Sequence, residues 1–203
     1  MKFSVVGIMY NEGKRLEECL SQFKDYTDDI VIFDTESTDN TSQIAFKFTK
    51  KVWEVPYVGY TSSYDCQAWL KAKYDWCFCA CGDERYYDIL DWVRDLSEDI
   101  KETMVAFERR EIVDGVEQPF TKRGYHWRLI NRHTAWTYEL LDAPLFSSND
   151  TLYSDKVFSH IKNSEEMQID INHRREAEKT LVYKYRFTSM EPFVSHREGY
   201  KPK

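Results

Sequence analysis

The chain has 203 residues, 42% of them hydrophobic and 16% aromatic, the composition of a folded unit with one substantial core rather than a disordered or fibrous chain. A formal charge of −7 and an isoelectric point near 5.3 disfavour nucleic acid as a partner except through a local basic patch, and no run of 18 apolar residues is present to span a membrane. Five cysteines, four of them between Cys66 and Cys81, do not make a secreted disulfide framework and suit a reducing, cytoplasmic location.

The opening MKFSVVGIMYNEG carries one lysine and a short apolar run with no small-residue cleavage site, so FSVVGIM (3–9) reads as a first buried strand rather than a leader. Leu16, Cys19, Leu20 and Phe23 then recur at helical spacing. DIVIFD (29–34) reads as a second strand, and STDNTSQIAFKF (37–48) as a helix capped by Thr38 or Asp39 with Ile44, Ala45 and Phe48 inward. The alternation continues with a strand at KVWEV (51–55), a helix over roughly 62–73, a strand at DWCFCAC (75–81) and a helix at YDILDWVRDL (87–96). Strands alternating with helices predict right-handed crossovers and a mostly parallel sheet with helices on both faces.

After residue 100 the pattern changes. Asp114-Gly115 between two strand-like runs predicts a hairpin. HWRLINRH (126–133) and DTLYSDKVFSHI (150–161) read as strands, residues 165–186 as a weakly periodic helix and 187–203 as a tail.

Ligands of open α/β sheets bind outside the carboxyl ends of the strands. That rule brings together Met9 to Glu12, Asp34 to Asp39 and Cys81 to Arg85, three polar segments at the tips of apolar strands. The Asn11-Glu12 pair suits either a helix start or hydrogen bonds to a base or ribose. Turn chemistry and a cap account for Ser37 to Thr41 but leave Asp34 over, as a carboxylate able to accept from a ribose hydroxyl or a pyrimidine N–H. In WCFCACGDER, Cys77, Cys79 and Cys81 share one side of a strand. They lack the C-x-x-C spacing and second ligand pair of zinc or iron-sulfur sites, so Cys77 and Cys79 are expected to be small core residues. Arg128 and Arg132, four apart on a strand, face one side, where they either meet phosphate or stand as solvated charges. His126 and His133 are expected at the surface or in packing.

In combination, YNEGKRLEECLSQF, DDIVIFDTESTDNTSQIA and DWCFCACGDER resemble the family 2 glycosyltransferases of the GT-A fold, and within them the subgroup related to lipopolysaccharide core transferases. The likeness is densest over residues 1–100. Beyond, HWRLINRH resembles that subgroup's Arg-Leu-Phe-Arg-Arg strand, TYELL its His-Glu segment and FSHIKNSEE its late histidine segment.

The resemblance implies an α/β, GT-A type nucleotide-diphospho-sugar transferase: residues 1–100 as the nucleotide-sugar-binding half, and 101–186 as the acceptor-side strands and C-terminal helix of the same domain. It implies an inverting transfer from a nucleoside diphosphate sugar, with UDP as the expected nucleotide, to a hydroxyl of a glycan or lipopolysaccharide core, or less favourably of a modified base. Tyr10, Asn11, Glu12, Asp34, Asp39 and Arg128 would bind the donor. Asp83 would hold a divalent cation, Mn or Mg, with His160 completing the site, and Glu139 would be the general base. Two departures stand out. Cys81 occupies the place of a carboxylate, and a thiol of reference pKa ~8.5 is a soft, mostly neutral ligand badly matched to Mg or Mn. Asp65 falls near the place of an arginine that faces the donor. The alternative is a nucleotide-sugar binder of transferase ancestry that has lost catalysis.

Overall fold

The computed structural model describes residues 1–57, 65–118, 125–133, 136–138, 143–145, 151–169 and 172. The first half follows the alternation in the sequence: β1 (Phe3–Met9), α1 (Leu16–Ser21), β2 (Ile30–Asp34), α2 (Thr41–Phe48), β3 (Val52–Glu54), α3 (Asp65–Trp69) and β4 (Trp76–Ala80). A two-residue strand β5 (Glu84–Arg85) and α4 (Tyr87–Asp95) follow directly. The second half is strand-rich: β6 (Met104–Val113), β7 (Val116–Glu117), β8 (Tyr125–Asn131), β9 (Trp136–Tyr138), β10 (Ala143–Leu145) and β11 (Thr151–Lys162).

Nine of these strands form one sheet in the order β3-β2-β1-β4-β8-β6-β11-β5, with β7 paired to β6; β9 and β10 form a separate ribbon. The sheet is mixed rather than mostly parallel. Pairings among β3, β2, β1 and β4 are parallel, as crossover helices require, and so is β6 with β11. β8 runs antiparallel to both β4 and β6, and β5 runs antiparallel to β11.

Side-chain alternation along the strands builds two cores. On one face Phe3, Val5, Trp76, Phe78 and Ala80 meet Leu16, Cys19, Leu20 and Phe23, Ile44 and Ala45, and Ile89, Leu90 and Val93 from α1, α2 and α4. On the other, Val6, Val31, Phe33 and Cys77 meet Ala68, Trp69 and Ala72 around α3. The helices therefore lie unevenly, three against one face and a five-residue helix against the other. Cys77 is fully buried and Cys79 packs against the second core, so both are packing residues. α2 is not capped by Thr38 or Asp39. Asn40 holds the cap position without a side-chain bond, while Asp39 accepts from the Thr41 N–H at 3.0 Å. The Asp114-Gly115 turn has φ of 51° and 77° at its two residues, the left-handed pair of a tight hairpin. Residues 164–169 are helical, at the start of the 165–186 segment. The rest of that segment is mostly outside the described residues, as are the 187–203 tail and the side chain of Asp65.

One buried ion pair joins the two halves of the sheet. Arg128 on β8 grips Glu84 on β5 through Nε (2.7 Å) and Nη2 (2.5 Å), with side-chain exposures of 11% and 2%, and its guanidinium lies 4.8 Å over the Phe158 ring. Breaking such a pair leaves an uncompensated charge in the core. Arg128→Met is expected to lower unfolding free energy by about 3 kcal/mol in urea titration, and the double variant with Glu84→Met to recover most of it. A loss below about 1 kcal/mol for the single variant would show the pair to be solvated and dispensable.

Candidate functional site

The parallel strands β1, β2 and β4 end at one edge, and the segments that follow them interlock there. Asn11, at φ 53°, donates its N–H to Ser37 Oγ (2.9 Å) and accepts from the Thr38 N–H (2.8 Å). Glu12 donates its N–H to Thr41 Oγ1 (2.8 Å), and the Gly13 N–H donates to Asp39 (2.9 Å). Asp39 thus ties the loop after β1 to the start of α2. Asp34 is 2% exposed and also takes part in its own turn, accepting from the Ser37 N–H at 2.9 Å and from the Ser42 hydroxyl. A carboxylate has about four lone-pair sites, so these two bonds leave acceptor capacity. Tyr10 stacks on Tyr57, centroids 5.1 Å apart and planes inclined by 22°, at the outer rim of this edge.

The turn after β4 is the most heavily braced part. Glu84 N–H donates to Cys81 O (3.1 Å), closing the turn, and Arg85 donates to Gly82 O (3.1 Å) and Glu84 O (2.9 Å). Tyr86 O–H donates to Glu84 (2.5 Å) and accepts from the Cys81 N–H (2.9 Å). Gly82 is required by close approach: a Cβ there would meet Cβ, Cγ and Oε2 of Glu12, each at 2.8 Å.

β5 pairs with β11 so that Glu84 lies opposite His160, and the Ile161 N–H donates to Asp83 O at 2.8 Å. This register brings Asp83 and His160 together: His160 Nε2 lies 3.0 Å from Asp83 Oδ2. Lys162, two residues on and hence on the same face of β11, places its ammonium 3.2 Å from that same oxygen. The other imidazole nitrogen, Nδ1, is held by Glu111 Oε2 at 2.5 Å, because β6 and β11 are paired with His160 opposite Glu111. Arg15 closes the side of the site, bonded to Glu166 (2.7 Å), Ile161 O (3.1 Å) and Glu12 (3.4 Å).

Burial alone would raise the Asp83 carboxyl, but the hydrogen bond and charge of His160, then Lys162 and Arg15, outweigh it and hold Asp83 ionised well below the usual range. His160 is raised: burial opposes its charge, and Asp83 and Glu111 overcome that. Glu12 is pushed up to about 8, by burial first and the charge of Asp83 second. Burial, then the charge of Glu84, drives the Cys81 thiol well above its ordinary value, so it remains neutral.

Sγ of Cys81 and carboxylate oxygens of Asp83 and Glu84 lie within 4.8 Å of one another, as metal ligands would. Their bonding reduces that set. Glu84 has both oxygens engaged by Arg128 and Tyr86, and Cys81 is a protonated thiol. Asp83 oxygen and His160 nitrogen remain. With Nδ1–H directed to Glu111, His160 presents Nε2 in the orientation that a carboxylate imposes on metal-ligating histidines. Two protein ligands, with the rest from water and phosphate, suit Mg or Mn, so the residues present fit a divalent cation.

The sequence profile described as "Glycosyl transferase family 2" matches residues 4–161. The chain belongs to that family. Curated relatives named as uncharacterised glycosyltransferases include one from Rickettsia conorii, 39% identical over 59 residues, and one from Rickettsia bellii, 32% identical over 83 residues. These alignments cover 29% and 41% of this chain, and the chain spans only 21% and 28% of the two relatives' lengths. Among solved structures, S. aureus TarS 1–349 in complex with UDP superposes with a TM-score of 0.58 at 16% identity, covering 99% of this chain and 73% of that one. A longer TarS structure gives 0.55 at 16% identity, covering 99% and 44%. The fold is of the GT-A type.

Of the residues singled out in the sequence, Asp83, His160 and Glu12 gather at one point, with Asn11, Asp34 and Asp39 in the interlocked loops beside it. Arg128 is a core residue bound to Glu84, and Arg132 donates to Ala72 O (2.6 Å) and Trp69 O (3.3 Å), so the two do not form a phosphate clamp. His126 packs edge-on to Phe158 and His133 lies exposed against Asp75. Glu139 and the side chain of Tyr138 lie outside the described residues. Sequence reasoning missed Arg15, Glu111 and Lys162. Only Lys162 left a signal, its two-residue spacing from His160.

Glu12 gives this site a pH signature. A carboxyl raised from 4.5 to about 8 binds its proton more tightly folded than unfolded, so its stabilisation is full below pH 4.5 and is lost as pH rises through 8. His160, also raised, acts in the same direction. In metal-free buffer, stability should fall from pH 5 to 8 and Glu12→Gln should flatten that fall; an unchanged slope in the variant would place the titration elsewhere.

Proposed function

We propose that this protein transfers a sugar, with inversion, from a UDP-sugar to a hydroxyl acceptor. The observation that carries the reading is the Asp83–His160–Glu111 arrangement at the strand-tip edge of a family 2 chain. The UDP held by TarS, a protein of the same fold type, supports the choice of nucleotide.

In this reading the nucleoside lies along the tips of β1 and β2, with the Tyr10 ring offering a face to the base and Asp34 and Asn11 offering hydrogen bonds. Asp39 acts from behind, through the loop it fixes. Asp83 and His160 hold the cation, which when bound neutralises charge on the leaving diphosphate. Arg15 and Lys162 add fixed positive charge on the same side, where a polyanionic leaving group gains most from preorganised cations. Glu111 keeps the imidazole in the tautomer that presents Nε2. Inversion requires one carboxylate to take the acceptor proton as the oxocarbenium-like centre develops. Glu139 is proposed for that role from its place in TYELL, which resembles the family's His-Glu segment with Tyr138 where the histidine would be. Residues 1–100 would form the donor half, and 101–186 the acceptor side of the same domain.

The proposed acceptor is a glycan hydroxyl, in keeping with the resemblance to lipopolysaccharide core transferases; the net charge of −7 makes a nucleic acid a poor one. No helix among the described residues is long and apolar enough to cross a membrane, and a cytoplasmic location is part of the proposal. A second reading, donor binding without turnover, is favoured by Cys81, which supplies no charge where a carboxylate is expected.

A thermal-shift panel of UDP-sugars with and without MnCl2, followed by measurement of UDP release, separates the two. Transfer is expected to require Asp83: Asp83→Asn should lower turnover by about 100-fold or more at an unchanged fold, the scale of removing one transition-state electrostatic contact. Near-normal turnover in that variant would refute the site. Saturable UDP-sugar binding with no turnover against any glycan acceptor would favour the binder.

A further inference from the structure

Lys162 occupies the position from which a divalent cation would neutralise Asp83. Its ammonium is 3.2 Å from Asp83 Oδ2, the oxygen that also faces His160 Nε2 at 3.0 Å, and its side chain is 11% exposed. The placement is built in. The Ile161 N–H holds the backbone of the Asp83 turn to β11, and the two-residue period of the strand then delivers His160 and Lys162 to the same carboxylate. Arg15 stands on the same side, and Cys81 contributes no negative charge.

A cation that ligates Asp83 Oδ2 must share that oxygen with an ammonium, and like charges that close repel. The donor's diphosphate reverses the balance, since it is an anion that both the metal and a lysine can contact. Lysine suits this exchange because its charge is compact and its four-carbon stem is flexible.

We propose that Lys162 is a resident counter-ion for Asp83: it competes with the divalent cation in the donor-free protein and turns to the diphosphate when cation and donor bind. Metal and nucleotide then bind with positive coupling, each improving the site for the other. This rests on the nucleotide-sugar reading above and adds to it a residue that lowers metal affinity before the donor arrives.

The test is calorimetric titration of the wild type and of Lys162→Met and Lys162→Arg with MnCl2 alone, and with UDP in EDTA and in MnCl2. Lys162→Met is expected to bind Mn2+ about tenfold more tightly than the wild type and UDP about tenfold more weakly, the scale of one charge-assisted hydrogen bond. Lys162→Arg, which keeps the charge but not the compact ammonium, should lie between the wild type and Lys162→Met in both titrations. Opposite movements of the two affinities are not what a packing defect produces; thermal melts confirm the fold, and Lys162→Gln provides the same readout if the methionine variant is unstable. Both affinities unmoved, or both lowered, would overturn the role of Lys162 while leaving the nucleotide site standing. Failure of the wild type to bind UDP even with MnCl2 present would remove the nucleotide reading and this proposal with it.

Discussion

The pairing of Glu84 with Arg128 fixes the turn on which Asp83 stands, and much of the site's geometry follows from that constraint. A guanidinium this deep needs its donors satisfied, and Glu84 and the Trp127 carbonyl satisfy them, while the Tyr86 hydroxyl donates to the same Glu84 carboxylate. Glu84 thereby has both oxygens taken up, although it directly follows Asp83 in sequence and lies close to it. Arg85, pointing to the opposite side, ties the carbonyls of the same turn to Glu18 on α1. Asp83 is thus carried by a backbone that cannot relax when its carboxylate changes partner.

Electrostatic balance then decides what the site can accept. Burial first, and the charge of Asp83 second, drive Glu12 toward protonation, while His160, Lys162 and Arg15 keep Asp83 ionised. The donor-free site therefore holds little uncompensated negative charge. In the proposed reading a free metal ion would find a weak attraction there, whereas a diphosphate arriving with its cation would find both ligands and counter-charges in place. The neutral thiol of Cys81 contributes to this balance by omission of a charge, and need not be a ligand.

The parallel half of the fold was legible because its strands are short, mostly buried in β1, β2 and β4, and separated by helices, so period and polarity agree along it. The mixed half was not, since the antiparallel insertion of β8 between β4 and β6 is a long-range choice that no local pattern records. The same division holds in the site. Asp83 and His160 were visible through motif resemblance, but Glu111 meets His160 across 49 residues of sequence through strand register alone. Arg128 was misjudged for the same reason: alternation gave its face, and only the partner strand shows that a buried glutamate waits there. Asp34 looked surplus to its turn, yet Ser37 and Ser42 both bond to it.

The central claim is that the strand-tip edge around Asp83 receives a nucleoside diphosphate. A crystal structure of the protein grown with UDP and MnCl2 tests it most directly. The diphosphate is expected beside Asp83, His160 and Lys162, with the uracil toward Tyr10 and Asp34. UDP bound at another surface, with Asp83 still paired to His160 and Lys162, would contradict it.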